Sequence, residues 1–431
     1  MTRALTSFVL LFVFSISCQT SDRSKSGQAA ELDLVNPEEV GMIRDSLAQI
    51  RELLRWAVDS QYVAGGVALV ARDDKIVYFE AVGYQDRQKT DPMEKDDIFR
   101  IASMTKPIVT TALMQLNEQG KINVEDPVSK YIPEFANPMV TEGFSMEDSS
   151  YSKRPASREV TVHDLLTHTS GLGYSAFIPM ARIVYASYGA VEGWTKDSVL
   201  LADNARKLGG YPLLHDPGAR WTYGVSTEVV GRLVEVVSGQ PLDEYLAKNI
   251  FAPLGMKDTY FYLPEEKADR LVDVWYMSNL PFENPSEIYG DDYPVAGAQT
   301  YFAGGAGLCS TAMDYLRFAT ALLNGGEWDG VRILKEETLQ RMTSNQIGEL
   351  SLDHGKFGYG LSVYTEDGDF GRRVGRFSWG GFWQTTFWVD PSRDLIGILM
   401  TNAQPTPVWN PLFDGFEEIV NGSVKEPLAA R

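Results

Sequence analysis

A serine and a lysine three residues apart, at the head of an apolar stretch, are the residues of this chain best placed to do chemistry together. They are Ser103 and Lys106 in Ser103-Met104-Thr105-Lys106, followed by Pro107-Ile108-Val109-Thr110-Thr111-Ala112-Leu113-Met114-Gln115-Leu116. A serine hydroxyl is a weak nucleophile at neutral pH and needs a neighbour to take its proton. Three residues along a helix bring the amine alongside the hydroxyl on one face. Desolvation by the apolar helix favours the neutral amine, the form that accepts a proton. The first turn also has backbone N–H groups without helical partners, which favour an oxyanion.

The pattern is short and recurs in Ser150-Tyr151-Ser152-Lys153. That copy lies in a polar segment with Pro155 just behind it, where no helix can hold the two side chains in register. Only Ser103 opens a buried-looking helix, closed by Gly120.

Three further segments carry candidate chemistry. In Thr161-Val162-His163-Asp164-Leu165-Leu166-Thr167-His168-Thr169-Ser170-Gly171-Leu172, Thr161 and Asp164 form a capping box that opens a short helix ended by Gly171. His163 and His168 fall on different faces with no Cys or Glu to complete a set, so a structural role is expected and no metal site. Tyr223, in Pro217-Gly218-Ala219-Arg220-Trp221-Thr222-Tyr223-Gly224-Val225-Ser226, precedes a predicted helix over 227–238. It is either a buried aromatic or, beside an ammonium, a proton shuttle. In Phe377-Ser378-Trp379-Gly380-Gly381-Phe382-Trp383, two glycines weaken a strand unless something approaches its backbone closely. That is a substrate carbonyl at an oxyanion hole, or a bulge or corner.

The elements that must position these groups follow from periodicity. Apolar residues at helical spacing run from Met42 through Ile43, Leu47, Ile50, Leu53, Leu54 and Ala57. Two strand-like runs, 66–70 and 75–79, flank Arg72-Asp73-Asp74 as a hairpin. The middle is mainly helical. Strands return at 358–364, 375–379, 385–389 and 395–401, before a short helix over 410–420. The expected fold class is α+β, with one antiparallel sheet built from the N- and C-terminal segments, flanked by helices and carrying an inserted helical lobe. The site is expected where sheet and lobe meet.

Composition sets the frame. The chain has 431 residues, 44% hydrophobic and 11% aromatic, which suffices for one large domain. A net charge of -19 argues against nucleic acid as a partner. An apolar run from Phe8 to Ser17 follows Arg3 and is too short to span a bilayer. Small residues before Cys18 resemble a bacterial lipoprotein signal. Residues 1–18 are therefore read as a signal segment with Cys18 as the lipidation site, 19–38 as a polar tether and 39–424 as the domain. The expected location is the bacterial cell envelope, exported to the periplasm or anchored to a membrane through that lipid. With Cys18 at the processing site, Cys309 is left without an intramolecular partner, a packed thiol in a small-residue turn.

Taken in order, these segments resemble the serine β-lactamase and penicillin-binding protein superfamily over residues 40–420. Pro253-Leu254-Gly255-Met256 with Asp258-Thr259 and Phe261, and Gly304-Gly305-Ala306-Gly307-Leu308 with Ser310-Thr311 and Asp314-Tyr315, add to the likeness. The resemblance implies that Ser103 is the acylated nucleophile and that Lys106 and Tyr223 share general acid/base work. It also implies an oxyanion hole at the N–H groups of Ser103 and Phe382, and a substrate-lining strand at Trp379-Gly380-Gly381. Tyr174, Phe177, Phe382 and Trp383 are candidates for the substrate wall. Two departures narrow the substrate. Val225 stands where lactamases and transpeptidases of this kind carry Asn, and Trp379-Gly380-Gly381 replaces their Lys-Thr-Gly. Loss of that lysine removes the cation for a β-lactam or peptide carboxylate and suits a neutral acyl or alcohol group. The segment is similar to that of family VIII carboxylesterases.

The resulting expectation is a serine hydrolase cleaving a small-molecule ester or amide through an acyl-enzyme, with no cofactor. The alternatives are a D,D-peptidase or β-lactamase, and a non-catalytic envelope binding protein. No G-x-S-x-G elbow, H-E-x-x-H zinc site or P-loop is present.

Overall fold

The computed structural model of the chain describes residues 32–276, 292–352, 355–404 and 409–425. The expected signal segment, Cys18 and the tether up to residue 31 lie outside the described residues.

Gly65–Arg72 and Lys75–Gly83 form the expected hairpin. Its two-residue turn places Asp73 and Asp74 at φ 53° and 57°. Left-handed residues match such a turn to the twist of the strands, and short polar side chains tolerate that conformation. The C-terminal strands Lys356–Phe357, Ser362–Val363, Phe377–Gly381, Thr385–Asp390 and Leu395–Met400 join the hairpin in a seven-stranded sheet. They follow one another from one edge in chain order, and Leu395–Met400 then pairs with Gly65–Arg72, leaving Lys75–Gly83 at the other edge. Every pairing is antiparallel, with Val67 opposite Met400 and Leu69 opposite Ile398. The expected α+β sheet drawn from both ends of the chain is the one observed.

Alternation sorts the side chains between two cores. Val67, Leu69, Phe387, Ile396 and Ile398 pack with Ile108, Val109 and Leu113 of helix Thr105–Glu118, and with Tyr315 and Phe318 of helix Ala312–Leu323. On the opposite face, Ala68, Val70, Trp388 and Leu399 meet Ile50 and Leu54 of helix Gln49–Asp59, and Phe413 and Phe416 of helix Trp409–Gly422. Each fully buried large apolar side chain contributes roughly 1.5–3 kcal/mol.

Some boundaries differ from expectation. The strand expected over 358–364 is two short strands, because Gly360 at φ 70° turns the chain where a Cβ would strike Thr110. The helix expected to run to Gly171 is Val162–Leu166, capped at Thr167. The edge strand also needs partners for its outer backbone groups. Val35 N–H donates to Ile76 O and Ile76 N–H to Asp33 O, both at 2.9 Å. The domain therefore begins before residue 39, within the segment read as tether.

A buried ion pair fastens the last helix to the sheet. Arg376 Nη2 and Glu417 Oε1 lie 2.6 Å apart, with side chains only 2% and 8% exposed. Burial alone would raise the Glu417 carboxyl, but the guanidinium groups of Arg376 and Arg372 outweigh it and hold it below the ordinary value. The folded carboxylate thus binds its proton less readily than the unfolded one. Its contribution is full above the unfolded value of 4.5 and is lost as pH falls below it. Glu417→Gln is expected to cost about 3–5 kcal/mol in urea unfolding at pH 7 by leaving Arg376 buried and unpaired. The deficit shrinks at pH 4. An unchanged midpoint at pH 7 would show that the pair anchors nothing.

Candidate active site

Strand Phe99–Arg100 pairs with Cys309–Ser310 and delivers the chain to Ala102, which turns at φ 42°. A left-handed residue with a Cβ costs roughly 1–2 kcal/mol. The neighbours hold it: Ile101 N–H donates to Leu308 O at 3.0 Å, Leu308 N–H to Thr105 Oγ1 at 3.0 Å, and Tyr315 OH to Met104 O at 3.0 Å. Ser103 sits on the 3-10 turn Ala102–Met104, two residues ahead of the first residue of the α-helix, Thr105. Lys106, in the first α-helical turn, is fully buried. Its Nζ donates to Ser103 Oγ at 3.1 Å, Tyr174 OH at 3.2 Å and Gly305 O at 2.8 Å.

Tyr223 arrives from a distant segment. The Thr161/Asp164 capping box forms as expected. The residues after its helix cradle the tyrosine loop, with Gly218 N–H donating to Thr169 O and Thr222 N–H to His168 O, each at 2.8 Å. Ser170 Oγ meets Ser226 Oγ at 2.8 Å, and a Cβ on Gly224 would collide with Leu172 O. The loop is thereby pressed against its neighbour, and Tyr223 OH donates to Ser103 Oγ at 2.6 Å. Ser103 Oγ thus has a phenol and an amine within hydrogen-bond reach. His168 lies behind, its ring 5.1 Å from that of Tyr223. Burial and the nearby Lys106 hold its pKa well below the ordinary value, so the ring is neutral. His163 is elsewhere, its Nδ1 3.0 Å from Tyr359 OH. The second serine-lysine pattern lies at strand Tyr151–Pro155, in a ribbon with Met139–Phe144. Cys309 is buried, and burial pushes its thiol up to about 12.

The glycine strand closes the other side. A Cβ on Gly381 would strike Thr385 Oγ1 and Ile101 O. The close approach at this glycine is therefore by the protein's own backbone, which brings the strand end against the residues just before Ser103. Thr385 Oγ1 donates to Ile101 O at 3.3 Å across that junction. A cavity of about 430 Å³ opens in front of Ser103, and Trp379, Gly380, Gly381, Phe382, Tyr174 and Phe177 line it. Trp383 does not line it. Trp383, in the turn between strands Phe377–Gly381 and Thr385–Asp390, is buried behind it, its ring 4.9 Å from Phe382 and 5.6 Å from Trp194. Val225 is fully buried at the start of helix Ser226–Ser238. A larger hollow of about 780 Å³, bordered by Leu34, Arg51 and Glu80, has no serine or cysteine among its described lining residues.

Several residues of the site carried no sequence signal. Trp194 and Glu192 reach the wall from a loop without periodicity, and Gln404 from the two-residue strand Ala403–Gln404. Glu228 lies beneath the site, wholly buried. Its Oε2 accepts from Tyr301 OH at 2.8 Å and Gly304 N–H at 3.0 Å, and its Oε1 from Gly305 N–H at 3.0 Å. Gly305 passes the contact on, since its carbonyl accepts from Lys106. Burial pushes the Glu228 carboxyl up to about 7, against the opposing pull of these donors and of Lys106. A charged residue ahead of Val229-Val230-Gly231-Arg232-Leu233 was the only hint of it, and first-turn acids are common for helix-dipole reasons alone.

The geometry has counterparts among known proteins. A family model described as Beta-lactamase matches residues 50–412. Esterase EstB of Burkholderia gladioli is 32% identical over 386 residues, covering 85% of this chain and 92% of that protein. Lovastatin esterase of Penicillium rubens is 30% identical over 373 residues, covering 79% and 89%. Among solved structures, EstCE1, a hydrolase with promiscuous acyltransferase activity, superposes with a TM-score of 0.73 at 26% identity, covering 89% of this chain and 99% of that one.

Proposed function

The chain belongs to the beta-lactamase family, and from that premise we propose that it is a serine hydrolase cleaving carboxylic esters through an acyl-enzyme on Ser103. The observation that carries this reading is Ser103 Oγ, 2.6 Å from Tyr223 OH and 3.1 Å from Lys106 Nζ, at the mouth of an aromatic cavity. Trp379 in the cavity wall, rather than a lysine, supports an ester without a carboxylate handle. The names of EstB and lovastatin esterase support the same class.

Ser103 Oγ attacks the ester carbonyl and gives its proton to the Lys106/Tyr223 pair. The N–H groups of Ser103 and Phe382 stabilise the oxyanion. The pair then protonates the departing alcohol as the C–O bond breaks, leaving an acyl group on Ser103. Water, deprotonated by the same pair, attacks the acyl carbonyl and releases the acid and the serine.

The cell envelope is the proposed location, supported by Arg3, the apolar run ahead of Cys18 and the small residues before it. One measurement tests both readings: intact-mass spectrometry of protein from the host's membrane fraction, before and after incubation with 4-nitrophenyl butyrate. Expected are a lipid on Cys18 and a transient butyryl adduct mapping to Ser103. Absence of an adduct together with absence of turnover rules out the esterase. An adduct and turnover with a penicillin but not with the ester assigns a lactamase or peptidase instead.

A further inference from the structure

The cavity holding the nucleophile is aromatic on most sides, yet one acidic residue lines it. Glu192 borders the space beside Phe177, Trp194 and Phe382. Its Oε2 accepts from Ser175 N–H at 2.7 Å and from Ser175 Oγ at 2.8 Å, which fixes the side chain. Among the described residues, Oε1 takes no hydrogen bond and no cation pairs with the carboxylate. Burial raises its pKa, and the two bonds from Ser175 oppose that only in part. Among the described residues that line the cavity there is no lysine, arginine or histidine. An anionic substrate meets repulsion there, and a cation meets an underpaired carboxylate set among ring faces. Phe177 and Phe382 have centroids 6.5 Å apart and Trp194 and Phe382 6.4 Å, so these rings touch one another and form one continuous aromatic wall on the cavity that Glu192 also lines. A cation within about 6 Å of a ring centroid is attracted by the ring's quadrupole.

We propose that Glu192, with Trp194, Phe177 and Phe382, forms a recognition site for a positively charged nitrogen on the ester that Ser103 cleaves. This rests on the hydrolase reading and narrows its substrate class from esters in general to ammonium-bearing ones. Glu192 also pins the loop at Ser175, but that task needs only an acceptor oxygen, which an amide supplies equally well. The charge is what a cation requires.

The test compares two esters of the same shape, choline butyrate and 3,3-dimethylbutyl butyrate, on the full-length protein. A kcat/KM ratio of about tenfold in favour of the cation is expected for the wild type, corresponding to about 1.4 kcal/mol of selective attraction. Glu192→Gln keeps an acceptor for Ser175 and should bring the ratio close to one. The wild-type ratio should also shrink as salt is raised, which tests the charge without any substitution. A wild-type ratio near one, or a ratio that Glu192→Gln leaves intact, overturns the proposal while the hydrolase reading stands. Turnover of neither ester overturns both.

Discussion

Ser103→Ala is expected to lower kcat/KM for 4-nitrophenyl butyrate by a factor on the order of 10⁴ or more, with loss of the acyl adduct. The size follows from the role. In the proposed mechanism the acyl group forms on Ser103 Oγ, the hydroxyl that both Lys106 Nζ and Tyr223 OH contact. The fold should survive, because the hydroxyl forgoes only two hydrogen bonds, each worth about 1 kcal/mol, and the alanine fits the same turn. The thermal midpoint should therefore stay close to that of the wild type. A folded Ser103→Ala protein that retained turnover would sink the assignment of nucleophile and mechanism together.

Lys106→Met should produce the second largest loss, about 10³-fold in kcat with little change in KM. Methionine fills most of the buried volume without carrying or accepting a proton. The variant removes the donor to Gly305 O, the contact to Tyr174 OH and the cation that Glu228 faces. A loss of stability of a few kcal/mol is therefore expected alongside. The two effects separate by measuring kcat well below the variant's melting temperature and by the pH profile. If Lys106 handles the proton, the pH profiles of the wild type and the variant differ. A variant within tenfold of wild type, with the same pH profile, would leave Tyr223 as the sole base.

Much of this arrangement was legible in the chain because it is local. Ser103 and Lys106 announce themselves by spacing at the head of a helix buried from Thr105 to Leu116. The hairpin follows from β-branched runs around Asp73-Asp74. Tyr223 was only a candidate from its own segment. Family likeness singled it out, since nothing local shows that 120 positions separate it from a contact. What stayed hidden depends on partners remote in sequence. The left-handed turn at Ala102 is imposed by Leu308 and its surroundings. Glu228 becomes special only because Gly304 and Gly305 fold over it. The interest of Glu192 comes from sharing a cavity wall with Phe177, Trp194 and Phe382, of which Phe382 is remote in sequence. The two-residue strands Phe99–Arg100 and Cys309–Ser310 are too short for any periodicity to appear.

The sheet order bears on how the molecule comes into being. Leu395–Met400 is inserted between Thr385–Asp390 and Gly65–Arg72, so a strand near the heart of the sheet is made late in translation. The hairpin, finished early on the ribosome, waits for a neighbour that emerges only after the whole helical lobe. Such long-range pairing is slow to form and leaves strand edges open meanwhile. The wall opposite the nucleophile, Phe377–Gly381, is delayed with it. The nascent chain therefore carries Ser103 and Lys106 through most of its synthesis without a catalytic cleft, and hydrolysis switches on only once that late strand has docked.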